Sequence, residues 1–178
     1  MSDPPPAPGS QPRPAAIPAV LNDHAVRYVV IGAFAAIAQH APIAPTRDID
    51  FTPDDDPGNL RNLSSALKQL DARIRTDAEG TGIPFAHDAA SLRRAEVWNL
   101  ICGYGEFDLA FKPAGIPGGF AELASHAHLV AVDGVDVYVA DLADVIRSKE
   151  AAGRPKDLRV LPALYRHQAR IASHRPPA

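Results

Sequence analysis

Asp48 and Asp50 flank Ile49 within Thr46 to Thr52, a stretch whose composition reads as a β-strand. Side chains alternate across a strand, so both carboxylates project from one face while Ile49 and Phe51 point to the other. Two acids held that close repel each other unless a cation lies between them, and a divalent metal is the usual reason to place them so. Taken alone, an acid-x-acid triplet is common at strand ends and more often faces water. Further along, Phe107, Leu109 and Phe111 share one face of a second strand and leave Asp108 on the opposite one as a candidate third carboxylate. Glu106 lies on the same face as Asp108 and is either a substitute for it or a solvated residue. Asp108 is preferred because apolar neighbours enclose it. Carboxylates so arranged can hold two magnesium ions, one activating an acceptor hydroxyl and one bracing a triphosphate and its leaving group.

Gly32 stands where a strand turns into a helix, a position that lets phosphate oxygens approach backbone N–H groups, although a tight turn alone explains a single glycine. Lys149 falls on the apolar stripe of Leu142, Val145 and Ile146, an odd place for an ammonium. It either runs along the core edge into solvent or reaches into a cleft as a phosphate clamp. Asp157 aligns with Leu161, Leu164 and Gln168, and a carboxylate facing inward needs a partner; Lys149, Arg154 and Lys156 are the candidates, and a purely structural salt link explains it equally well.

The elements that must position these groups alternate between strand and helix. Val26 to Ile31 reads as a buried strand and is followed by an Ala-rich helix from Gly32 through His40. Asp56 and Pro57 form a helix start, and Leu60, Leu63, Leu67 and Leu70 make one apolar face over residues 57 to 72. Ala95 to Cys102 and Glu106 to Phe111 read as a hairpin. A short helix follows over Gly119 to Ser125, and Asp133-Gly134 joins His128–Val132 to Val135–Val139 in a second hairpin. Asp141 caps a helix that stops at Gly153, and a last helix runs from Pro155 to about Ser173, with Pro162 expected to kink it or to delay its start. The fold class is α/β, a short mixed sheet flanked by helices.

The 178 residues, 46% of them hydrophobic, suffice for one core. The expectation is a Pro/Ala-rich tail over residues 1 to 16, a single domain over 17 to 173 and a C-terminal tail over 174 to 178. One cysteine, Cys102, permits no internal disulfide and suits a reducing cytoplasm. The longest apolar run, Tyr28 to Ala38, is shorter than the roughly 18 residues of a membrane span. Net charge is −3, yet residues 147 to 178 carry eight Arg or Lys against two acids. A basic end facing an acidic body suits a polyanion such as a triphosphate or RNA, although a solvated helix face is the commoner explanation of a charge run. His126 and His128 lack a nearby carboxylate or cysteine in sequence, and Asp54-Asp55-Asp56 reads as a capping turn; neither receives a role.

Three stretches together resemble the nucleotidyltransferase superfamily, specifically its abortive-infection and toxin–antitoxin branch: VVIGAFAAIAQHAPIAPTRDIDF, GEFDLAF and DLADVIRSKEAAGRPKDLRVL. The similarity covers about residues 20 to 166. The resemblance implies Gly32 and Ala33 in the phosphate-binding turn, Asp48, Asp50 and Asp108 as metal carboxylates, and Lys149 as a catalytic, nucleotide-binding lysine. It also implies Lys156 and Asp157 as a nucleotide-site pair and Arg47 as the basic residue before the acidic triplet. Its implied chemistry is magnesium-dependent transfer of a nucleoside monophosphate from a triphosphate to an acceptor hydroxyl, on RNA such as a tRNA end or on a protein, with a cognate antitoxin as partner. Two further expectations belong beside it, a small-molecule (antibiotic) nucleotidyltransferase and a catalytically weak or inactive nucleotide- or partner-binding module. The family's turn carries a second Gly or Ser where this chain has Ala33, which favours the last of these.

Overall fold

The computed structural model describes residues 13, 15–77 and 80–174. Most of both expected tails lies outside them, but Ala16 already begins a helix, α1 (Ala16–Asp23), that the Pro-rich context concealed. Pro18 is tolerated there because it sits in the first turn, where its missing N–H has no intrahelical partner to lose. The chain then forms β1 (Tyr28–Ile31), α2 (Gly32–Ala38), β2 (Asp48–Pro53), α3 (Pro57–Gln69), β3 (Arg73–Ile74), α4 (Ala89–Leu92), β4 (Val97–Cys102) and β5 (Gly105–Ala110). It ends with α5 (Gly119–Ala124), β6 (His128–Val132), β7 (Val135–Val139), α6 (Leu142–Ala152) and α7 (Pro155–Ser173).

Local chemistry accounts for the boundaries. The Asp56 carboxylate accepts from the N–H groups of Gly58 and Asn59, capping α3 with Pro57 as its first residue. Asp133 and Gly134 both hold positive φ, at 49° and 81°, the backbone that a tight two-residue hairpin requires. Gly153 closes α6 in the left-handed conformation at φ 60°. Helix α7 begins at Pro155 and continues through Pro162. Pro162 deprives the Leu158 carbonyl of its intrahelical partner on the exposed side of the helix, where both residues face solvent.

Among the described residues the strands form a seven-stranded mixed sheet ordered β3-β4-β5-β2-β1-β7-β6. Strand β2 runs antiparallel to β1 and parallel to β5. The inward positions of the central strands, Ile49, Phe51, Leu100, Phe107 and Leu109, are at most 2% exposed and share a core with Leu60, Leu63, Leu67 and Leu70 of α3. Phe51 meets Tyr28 and Phe107 edge-on, with ring centroids 5.2 and 6.2 Å apart. Burying one face this completely fixes the register, because a one-residue slip would drive the acids of β2 and β5 into that core. Helix α7 is tied to the loop after α2 by His167, whose Nε2 lies 2.8 Å from the Gln39 carbonyl.

Candidate active site

The parallel β2–β5 register sets Asp48 opposite Glu106 and Asp50 opposite Asp108, so four acids form a two-by-two array on the face away from the core. The array lines up because side chains of adjoining strands in register share a face. Asp48, Asp50 and Asp108 line a cleft of about 460 Å³ with Gly32, Ala33, Lys149, Lys156 and Asp157, whereas Glu106 does not. The structure thus brings together eight of the nine site residues expected from sequence; Arg47 is exposed and stays outside the cleft lining, as does Glu106, the alternative to Asp108.

Gly32 has a role that a phosphate-binding turn does not exhaust. Its φ is +77°, and a Cβ there would sit 2.1 Å from Oδ2 of Asp50. The glycine is therefore the floor on which the Asp50 carboxylate rests, and any side chain would evict it. Asp50 ionises only near pH 7, pushed up by burial and then by the charges of Asp48 and Asp108; Lys149 and Lys156 oppose the shift without cancelling it. Asp108 is also raised, by burial first and by Asp48 and Glu106, against the pull of Arg75 and Lys156. The central acids are short of positive charge.

The opposite wall is balanced. Lys149 Nζ donates to Asp157 Oδ1 at 3.0 Å and Arg154 Nε donates to Oδ2 at 2.6 Å. Asp157 is only 1% exposed. Burial works against its ionisation, but the bonds from Arg154 and Lys149 prevail and hold the carboxyl below its usual range. Lys149 does not run out into solvent: it lines the cleft, where its field reaches Asp50, and the contact it makes is the structural salt link that was the alternative for Asp157.

Several cleft groups carried no sequence signal. Thr46 donates its hydroxyl to Asp48 Oδ1 at 2.6 Å, and Asn99, Lys112 and Ser148 join the lining. Arg75, just after the two-residue β3, bonds both Glu106 and Asp108, and that strand is too short to show periodicity. The two histidines also find carboxylates that the sequence did not place beside them, His128 on Asp141 at 2.8 Å and His126 on Asp144 at 3.4 Å.

Hard carboxylate oxygens suit magnesium, and Asp50, raised by burial and then by the charges of Asp48 and Asp108, gains from any cation placed beside it. The residues therefore fit such an ion in kind. As they stand, among the described residues no three acidic, imidazole or thiol groups are set to enclose one; Asp108 pairs with Arg75, and Asp48 accepts from Thr46.

No protein-family model matches the sequence, and no curated protein matches it. Among solved structures the chain is similar to a Thermotoga maritima protein classed as a nucleotidyltransferase, with a TM-score of 0.53 at 15% identity over 89% of this chain and 98% of that one. A solution structure of the antibiotic-resistance factor ANT(2'')-Ia is more distant, with a TM-score of 0.44 at 15% identity over 89% of this chain and 91% of that one. The chain shares the fold of the Thermotoga maritima protein: a mixed sheet flanked by helices, with further helices at the C-terminus. Among the described residues no helix is long and apolar enough to cross a membrane.

Proposed function

We propose that this chain is a metal-dependent nucleotidyltransferase that moves a nucleoside monophosphate from a triphosphate to an acceptor hydroxyl. The observation that carries the proposal is the charge-deficient set Asp48, Asp50 and Asp108, aligned across two parallel strands at the floor of a cleft with basic residues on its opposite wall. Those three carboxylates would hold magnesium, which when bound supplies positive charge to the acceptor oxygen and to the phosphates. Lys156 and Arg154 at the cleft wall attract the triphosphate. Gly32 keeps the Asp50 carboxylate seated without a competing side chain. The acceptor oxygen bonds to the α-phosphorus as the bond to pyrophosphate breaks, and the hydroxyl proton leaves. Such a reaction asks the protein mainly for positioning and electrostatics.

RNA is the acceptor class we favour. Arg159, Arg166 and Arg170 are exposed along α7, the helix whose first turn carries Lys156 and Asp157 at the cleft, and a basic track leading from a reaction centre suits a phosphate backbone. A role as the toxin of a toxin–antitoxin pair, with tRNA as target, rests on the sequence resemblance. The test is incubation with magnesium and each α-labelled nucleoside triphosphate, with total RNA, with aminoglycosides or with neither, beside Asp48→Ala and Asp50→Ala. Label moving to RNA and lost in the variants supports the reading, and label moving to the antibiotic redirects it to a small-molecule enzyme. Triphosphate binding with no transfer to any acceptor makes the chain a nucleotide-binding module.

A further inference from the structure

Arg75 follows β3 and donates its backbone N–H to the Asn99 carbonyl at 2.9 Å, one step beyond the Ile74–Leu100 pair. That step places Arg75, Asn99, Asp108 and Asp50 in one row across four strands, on the cleft side of the sheet. The guanidinium then forks. Nη2 donates to Asp108 Oδ1 at 2.9 Å inside the row, and Nη1 donates to Glu106 Oε2 at 3.0 Å outside the cleft lining. The Asn99 amide, in the orientation that satisfies both partners, donates to the two Asp108 oxygens at 3.3 and 3.2 Å. Asp108 is thus occupied by the protein's own donors, while the contact to Asp48 comes from a single hydroxyl.

We propose that Arg75 is a displaceable counter-ion that competes with a divalent cation for Asp108. The inference rests on the metal-binding reading above and adds to it that the β5 side of the site is withheld until the guanidinium lets go. The fork makes release feasible. Glu106 is 42% exposed at its side chain against 16% for Asp108, so Arg75 can keep the outer acid as it yields the inner one and never becomes an unpaired charge in a half-buried place. A lysine offers no such pair of parallel donors. Arg75 is accordingly a positioning residue: it sets where Asp108 points and when that carboxylate is available.

The experiment is direct Mn²⁺ binding to the full chain, followed by electron paramagnetic resonance without nucleotide. The proteins compared are wild type, Arg75→Gln, Arg75→Lys, Asp108→Asn, the Arg75→Gln/Asp108→Asn double variant and Asp50→Asn, each checked for a cooperative thermal transition. Removing a charge-assisted bond that competes with the ion raises Mn²⁺ affinity in Arg75→Gln by about tenfold. Arg75→Lys falls between that variant and wild type, and the gain disappears in the double variant. Unchanged or weaker Mn²⁺ binding in both Arg75 variants overturns the inference, as does a gain that persists without Asp108, which would show only a long-range field. If wild type binds Mn²⁺ through Asp50 but Arg75 has no influence, this inference fails and the metal site stands; if no form binds Mn²⁺, both fail. Should Arg75→Gln not fold, Arg75→Lys decides alone.

Discussion

The two walls of the cleft treat buried acid in opposite ways. On the sheet, burial first and then the charges of Asp48 and Asp108 raise Asp50, and the lysines nearby do not offset the cost, so it keeps its proton to near pH 7. On the helices, Asp157 is buried more deeply than any of them yet is held ionised by two cations at bonding distance. Charge that the fold has already balanced marks architecture, and charge that it has left unbalanced marks a place for something from outside. The same residue type, aspartate, serves both ends.

The largest effect that would break this contrast lies in the reaction. Asp50→Asn is expected to lower nucleotidyl transfer by about 10³-fold, the scale on which removing a group that stabilises transition-state charge is felt. Single-turnover transfer at saturating triphosphate measures it, and a loss under tenfold would remove Asp50 from the site. Next is Asp157→Ala, which leaves Lys149 and part of Arg154 facing an empty carboxylate position. About 3 kcal/mol of unfolding free energy is expected to go, read by urea denaturation at pH 7. The depressed carboxyl contributes its stability above its ordinary value, so the penalty shrinks as pH falls below about 4.

A third test runs with the opposite sign. Asp50 releases its proton near pH 7 when folded and near its ordinary value when unfolded, so the native chain grows costlier as pH rises between those limits, and the full cost stands above 7. Asp50→Asn is therefore expected to stabilise the metal-free protein by on the order of 2–4 kcal/mol at pH 8. The advantage narrows toward pH 4, and saturating magnesium narrows it at pH 8. Thermal melts across that range check both. The smallest effect sharpens the other wall: replacing the pair together, Lys149→Met with Asp157→Leu, is expected to leave stability within about 1 kcal/mol, since a balanced buried pair exchanges well for apolar packing. A large loss would show that Lys149 and Asp157 do more than neutralise each other.

The local half of this contrast was legible in sequence. Alternation put Asp48 and Asp50 on one face, and the apolar neighbours of Asp108 favoured it over Glu106; Asp108 lines the cleft and Glu106 does not. Asp133-Gly134 and Asp56-Pro57 gave their hairpin and helix start because turn and cap chemistry acts over a few residues. Strand ends shifted by one or two residues, β1 starting at Tyr28 and β2 at Asp48. What sequence could not supply was pairing at a distance. The parallel β2–β5 register that makes an array out of two acid pairs has no local signature, and β3 is two residues without a period, so Arg75 and its fork were invisible. Asp157 already had Lys149, Arg154 and Lys156 as candidate partners, but that Lys149 and Arg154 are the two that bond it depends on how α6 meets α7.

The β2–β5 ladder also sets when the cleft can form during the chain's own synthesis. The two strands that carry the acids are separated by α3, β3, α4 and β4, and they meet only after the intervening chain has been closed into a loop, the slow kind of event in folding. The basic wall comes later still, from the last two helices. A ribosome-bound chain thus emerges with the Asp48–Asp50 strand first and cannot close the cleft until Lys149, Lys156 and Asp157 have also left the exit tunnel.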